Sequence, residues 1–272
     1  MKRRAFIQSA ALATALCSAT TSGFSKAQAS PVPYVRRDYS TLSQAEWAAF
    51  VAAVKHTNIA TLGLVRPTKY DSFAFEFAHN FDSYQNYSAN ALSGLARYRR
   101  LLVDFEMALK SSDPAVSLPY WDFSVDWQAP QSSAIFTPTY LGGNGQGLLD
   151  SVVDGAFAPW QVGYPGLLNV LPLPHVLRRH FNSGPSIQSF ASPQAISNII
   201  AQSVTLNDLS SQLLGSAAPL VFDGIGGDMA TTFSPNDPIF WLVMCYIDKL
   251  FSIWLQLHPT APQPDPVTYT YV

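Results

Sequence analysis

At 272 residues the chain is long enough to bury a full core, and 48% hydrophobic against 12% charged side chains excludes an intrinsically disordered protein. Its 16 Lys and Arg against 18 Asp and Glu also exclude a basic surface of the kind that holds nucleic acid.

Residues 1–29 have the pattern of a targeting segment: Lys2, Arg3 and Arg4, a weakly apolar run to about Cys17, then the small-residue site Ala27-Gln28-Ala29. Arg3-Arg4-Ala5-Phe6-Ile7 is of the twin-arginine type, which exports folded proteins, with an ordinary secretory signal as the alternative. Cleavage after Ala29 would leave residues 30–272 as one exported domain, periplasmic or extracellular, starting at Ser30. The apolar run is shorter than the roughly 20 residues a bilayer needs, and the mature chain is expected to have no membrane span. Removing Lys2, Arg3, Arg4 and Lys26 leaves twelve basic side chains against 18 acidic ones. Cys17 would go too, leaving Cys245 with no disulfide partner.

Residues 30–40 predict an extended lead-in. Ser43 and Glu46 have capping-box spacing, which predicts a helix over 44–56 with Trp47, Phe50, Val51 and Val54 on its buried face. Further helices are expected over 71–80 and 92–109. From 113 to 174 proline, glycine, serine and aromatic residues predict long ordered loops. Ser192-Pro193 reads as an N-cap with proline at the first helical position, opening a helix to about Gln202. The last helix, 239–257, is apolar on nearly every face and belongs in the middle of a bundle; Asn236 or Asp237 caps it and Pro259 ends it. The tail from 260 to 272, with Pro262, Pro264 and Pro266, reads as extended.

Several motifs carry a resemblance. Ser234-Pro235-Asn236-Asp237-Pro238-Ile239-Phe240-Trp241-Leu242, then Ile247-Asp248-Lys249-Leu250 and Trp254, resembles the second copper-binding segment of bacterial tyrosinases. Leu118-Pro119-Tyr120-Trp121-Asp122-Phe123 resembles the segment after their first copper region, with Phe105-Glu106-Met107-Ala108-Leu109 before it. Tyr140-Leu141-Gly142-Gly143 and Gly226-Gly227-Asp228-Met229 also fit, in family order. The resemblance implies a mainly α fold, a four-helix bundle with long surrounding loops. It also implies two copper ions, each on three imidazoles, that bind dioxygen to oxidise phenols.

The ligands are what this chain lacks. The resemblance places His79 as the one retained ligand. The second position falls at Ser88 or Ala89 and the third at Tyr98. The second copper's positions fall at Ala218 and Phe222, four apart, and its His-His pair becomes Val243-Met244. Five of six ligand positions have therefore lost histidine. The expectation is no cofactor, copper being expected only if the family's activity persists. A vacated centre is expected to be mostly filled, with a small residual pocket near His79 and Tyr98 and with Phe222, Val243 and Met244 among its walls.

Other residues read as structural. His175 and His180, five apart around Arg178-Arg179, suit solvated or capping roles better than metal binding, and Met244-Cys245 suits plain core better than a sulfur site. His56 and His258 end helices, whose negative poles favour them. Glu106 and Asp122 suit helix packing and loop bracing, although a Tyr98, His79 and Glu106 cluster would be able to move protons. The leading functional expectation is a pseudoenzyme that binds a small aromatic molecule or a protein partner. The alternatives are a redox-free enzyme acting on a phenolic substrate in the old pocket and a genuine dicopper phenol oxidase.

Overall fold

The computed structural model describes residues 34–59, 66–85, 94–166, 168, 171–261 and 269–271. The targeting segment, Ser88, Ala89 and residues 262–268 lie outside that range.

The chain enters through strand β1 (Tyr34–Arg36) and reaches helix α1 (Gln44–Thr57). The capping box forms: Ser43 Oγ accepts from Glu46 N at 3.3 Å, and Glu46 Oε2 accepts from Ser43 N at 2.8 Å. A second capping box opens α2 (Lys69–His79), where Asp71 N donates to Thr68 Oγ1 at 3.1 Å and Thr68 N to Asp71 Oδ2 at 2.7 Å. A single turn, α3 (Phe81–Tyr84), follows, and then the long α4 (Leu95–Lys110).

The middle of the chain is loop, as expected, broken by 3-10 turns and by a two-residue antiparallel pair, β2 (Gln161–Val162) with β3 (His175–Val176). One buried arginine helps to anchor it. Arg179 grips both carboxylate oxygens of Asp237, at 2.7 and 2.8 Å, and also donates to the carbonyls of Leu141 and Gly142.

Helix α5 (Pro193–Gln202) starts at the Ser192 cap, whose Oγ accepts from Ala195 N at 3.2 Å. Then come α6 (Leu206–Gln212), a π turn over Leu213–Ala217, and α7 (Ala218–Ile225). Helix α8 (Ile239–Leu257) is capped by Asp237, whose Oδ1 accepts from Ile239 N at 3.0 Å. Among the described residues α8 alone has the length and composition to cross a membrane, but 78% of its apolar window is buried inside the protein, as the central helix of a bundle must be. Helices α2, α4 and α7 surround it, and the mainly α four-helix bundle is the fold.

The tail contributes β4 (Tyr269–Tyr271), which pairs in parallel with β1. Beneath that pair lies a buried charge network. Arg36 donates to Glu106 Oε2 at 3.1 and 2.8 Å and to Asp248 Oδ2 at 3.1 Å, while Arg99 donates to Asp248 Oδ1 at 2.6 Å. Two arginines thus balance two carboxylates, and Glu106 accepts from Leu118 N at 2.8 Å as well. Asp122 braces its loop by accepting from the Ser124 N–H at 3.1 Å and hydroxyl at 2.6 Å.

Candidate functional site

Four helices bring their inner faces together where the resemblance places copper. Helix α2 contributes Phe77, α4 Tyr98, α7 Ala218 and Phe222, and α8 Phe240. Met244 and Val243, four and three residues after Phe240, share its side of α8 and are buried.

Aromatic side chains fill the centre. Ring centroids of Phe77 and Phe240 lie 5.2 Å apart, those of Phe77 and Tyr98 5.8 Å, and those of Phe222 and Phe240 5.8 Å. Tyr84 closes the group, 4.8 Å from Phe77 and 4.9 Å from Tyr98. Burial pushes the Tyr84 hydroxyl up to about 12, so it stays protonated as a neutral wall.

The centre is not completely filled. A cleft of about 300 Å³ remains beside Tyr98, Ala218 and Phe222, reaching Phe81 and Leu214 on its apolar side and Asp223 and Thr232 on its polar side. Gln85 Nε2 stands 3.5 Å from the Tyr98 hydroxyl at its edge.

His79 is not part of this cluster, contrary to the expected pocket of His79 with Tyr98. It is exposed at the end of α2, with its ring against Phe75 at 4.6 Å. The reason is helical geometry. Tyr70, Phe73 and Phe77 repeat at three and four residues and make the buried face, and a residue two beyond Phe77 points about 200° away. The inward residue of α2 is Phe77, which that spacing in the sequence would have found. The Tyr98, His79 and Glu106 cluster does not form either, because Glu106 is committed to Arg36 and Leu118. The vacated pocket is therefore walled by Tyr98, Ala218 and Phe222 without His79, and Met244 and Val243 are packed core.

A model of the common central domain of tyrosinase matches residues 95–257. The chain belongs to the tyrosinase family. A tyrosinase from Streptomyces antibioticus is 33% identical over 249 residues, covering 84% of this chain and 85% of its own. One from Streptomyces glaucescens is 32% identical over 243 residues, covering 83% and 84%. In fold the chain is similar to a polyphenol oxidase variant from Thermothelomyces thermophila, with a TM-score of 0.69 at 22% identity over 86% of this chain and 73% of that one.

The family's copper pair implies six imidazoles, and the side chains at this tyrosinase-family site do not fit it. Tyr98, Ala218, Phe222 and Met244 offer no imidazole, and the whole chain has five histidines. Those five are scattered. His56 and His79 are exposed at helix ends, His175 pairs with Asp228 at 3.0 Å, His180 with Asp150 at 3.2 Å, and His258 stacks on Trp254 at 4.2 Å. Among the described residues no three of His, Cys, Asp or Glu come together as a metal would need. Cys245 is buried with Sγ 3.8 Å from the Leu118 carbonyl, and burial pushes its thiol far above the ordinary range, away from the thiolate that binds metal.

Proposed function

We propose that this tyrosinase-family protein does not hold a copper pair and acts by binding a small aromatic molecule in the cleft beside Tyr98, Ala218 and Phe222. The observation that carries the reading is the chemistry of the walls. Where the family needs neutral nitrogen ligands, the chain supplies phenyl, phenol, methyl and thioether groups, which leave a copper pair without its imidazole nitrogens. The same walls suit an aromatic ring, which gains by apolar burial and edge-to-face contact. The polar rim of Gln85, Asp223 and Thr232 offers a phenol or amine its hydrogen bonds. We also propose that the protein works outside the cytoplasm after cleavage before Ser30, which the mass of the exported chain would test.

The test is metal analysis of the mature protein after copper loading, with a catechol oxidation assay and calorimetric titration with 4-methylphenol. Fewer than two coppers per chain, no quinone formation, and 4-methylphenol binding lost on Ala218→Trp are the expected results. Two coppers per chain with catechol turnover would overturn the proposal.

A further inference from the structure

A second cleft, of about 460 Å³, lies by the β2–β3 pair and is lined by Pro165, Leu173, Pro174, His175, Arg178 and Asp228. It is distinct from the cleft at Tyr98, although Thr231 borders both.

Its polar groups are arranged with an order that the fold enforces. Gly227 has φ +58, and a Cβ there would sit 2.3 Å from the Arg178 carbonyl oxygen, so this glycine lays the turn directly against the 178–179 backbone. That approach puts the buried Asp228 carboxylate under three donors. Arg178 N reaches Oδ2 at 2.8 Å, Asn236 Nδ2 reaches Oδ1 at 3.1 Å, and His175 Nε2 lies 3.0 and 3.2 Å from the two oxygens. An ionised carboxylate only accepts, so in the neutral form of the ring the proton sits on Nε2 and Nδ1 presents a lone pair. Nδ1 has no hydrogen-bond partner among the described residues. The exposed Arg178 guanidinium likewise has neither an ion pair nor a hydrogen bond among them.

With Asp228 committed to its three donors, the cleft presents one unpaired cation and one unpaired acceptor beside an apolar wall of Pro165, Leu173 and Pro174. The complementary ligand has one negative charge, one donor next to it, and an apolar substituent. We propose that this cleft binds a 2-hydroxycarboxylate with an apolar substituent. The guanidinium takes the carboxylate as a two-pronged pair. The hydroxyl donates to His175 Nδ1, and the substituent lies on the prolines and Leu173. Asp228 acts as a positioning residue that fixes which imidazole nitrogen is free.

Isothermal titration of the mature protein at pH 7.5 with mandelate and with phenylacetate, which lacks only the hydroxyl, tests this. Mandelate is expected to bind about two- to tenfold more tightly, the value of one hydrogen bond. Arg178→Gln changes an exposed side chain and is expected to abolish binding of both. His175→Ala, checked for retained folding, is expected to bring the two affinities together. Phe222→Trp, which fills the neighbouring cleft, is expected to leave both unchanged. Equal affinities in the unmodified protein, no mandelate binding, binding that survives Arg178→Gln, or binding lost on Phe222→Trp would each overturn the proposal.

Discussion

Placing histidine at Phe77 and, separately, at Phe222 distinguishes a packed centre from an open one. Phe77 has 0% exposure and touches the rings of Phe81, Tyr84, Tyr98 and Phe240. An imidazole there loses part of the phenyl transfer energy, about 1.5–3 kcal/mol for full burial of an apolar side chain. Its polar nitrogens also lie among aromatic rings, which adds about 1–3 kcal/mol for unpaired buried groups. Phe77→His should therefore cost about 3 kcal/mol. Phe222 is half-buried on the cleft wall, and among the described rings only Phe240 stacks against it. Its replacement can turn nitrogen toward the cleft, and Phe222→His should cost about 1 kcal/mol. Urea unfolding at pH 8 with a chelator present measures both without metal rescue. Lowering the pH to 5.5 should widen the gap, because charging a buried imidazole costs far more than charging a hydrated one. Equal losses, or a larger loss at Phe222, would refute the packed centre at α2.

Three other outcomes follow from the same physical terms. Arg36→Ala strands Glu106 in the core, while Asp248 keeps Arg99, and should cost about 3–5 kcal/mol by urea unfolding, the range for breaking a buried ion pair. Glu46, held down to about 2 by the Ser43 backbone and side-chain hydrogen bonds and then by Arg37, has a folded pKa below its ordinary 4.5. Its contribution is therefore present above about 4.5 and lost as pH falls toward 2, so thermal melts of Glu46→Ala should differ most from the parent at neutral pH and converge near pH 2. Gly226→Ala forces a side chain onto φ +65 with its Cβ 2.0 Å from the His180 carbonyl oxygen; a loss of at least about 1–3 kcal/mol in the same urea titration checks that the turn requires glycine.

The features legible in the sequence are those set by neighbours in the chain. Ser43 with Glu46, and Ser192 with Pro193, start helices through contacts three residues long, and both helices begin where that chemistry puts them. Helix α8 is legible because an all-round apolar run has one stable location. The stretch from Leu206 to Ile225 is not, because Gly215, Pro219 and Gly224 interrupt the period and a π turn shifts the buried face between α6 and α7. Pairing of β1 with β4 joins the two ends of the described chain and has no local signature. The inward position on α2 was legible in Tyr70, Phe73 and Phe77, but a histidine beside asparagine draws attention to the exposed side of that helix. The His175–Asp228 pair is formed by residues 53 apart, and only the folded chain brings them together.

The motifs that carry the family likeness do structural work of their own. Asp237 caps α8 and answers the buried charge of Arg179. The Asn236 side-chain amide ties the Gly-Gly turn to the loop at Tyr164, and its backbone carbonyl accepts from Trp160 Nε1 at 3.1 Å. Glu106 and Asp248 hold Arg36 and Arg99 and so join β1 to α4 and α8. The carboxylates of Asp237, Glu106 and Asp248 find their cations within the chain, so none needs metal-binding energy to hold the fold, unlike domains in which that energy is the folding energy. The centre then faces a different requirement. Unpaired imidazoles packed between four helices would be buried polar groups without partners, whereas phenyl, phenol and thioether groups stabilise the same space by apolar burial. On the function proposed above, aromatic packing therefore suits the centre on its own terms, while the frame around it is held by its own ion pairs and caps.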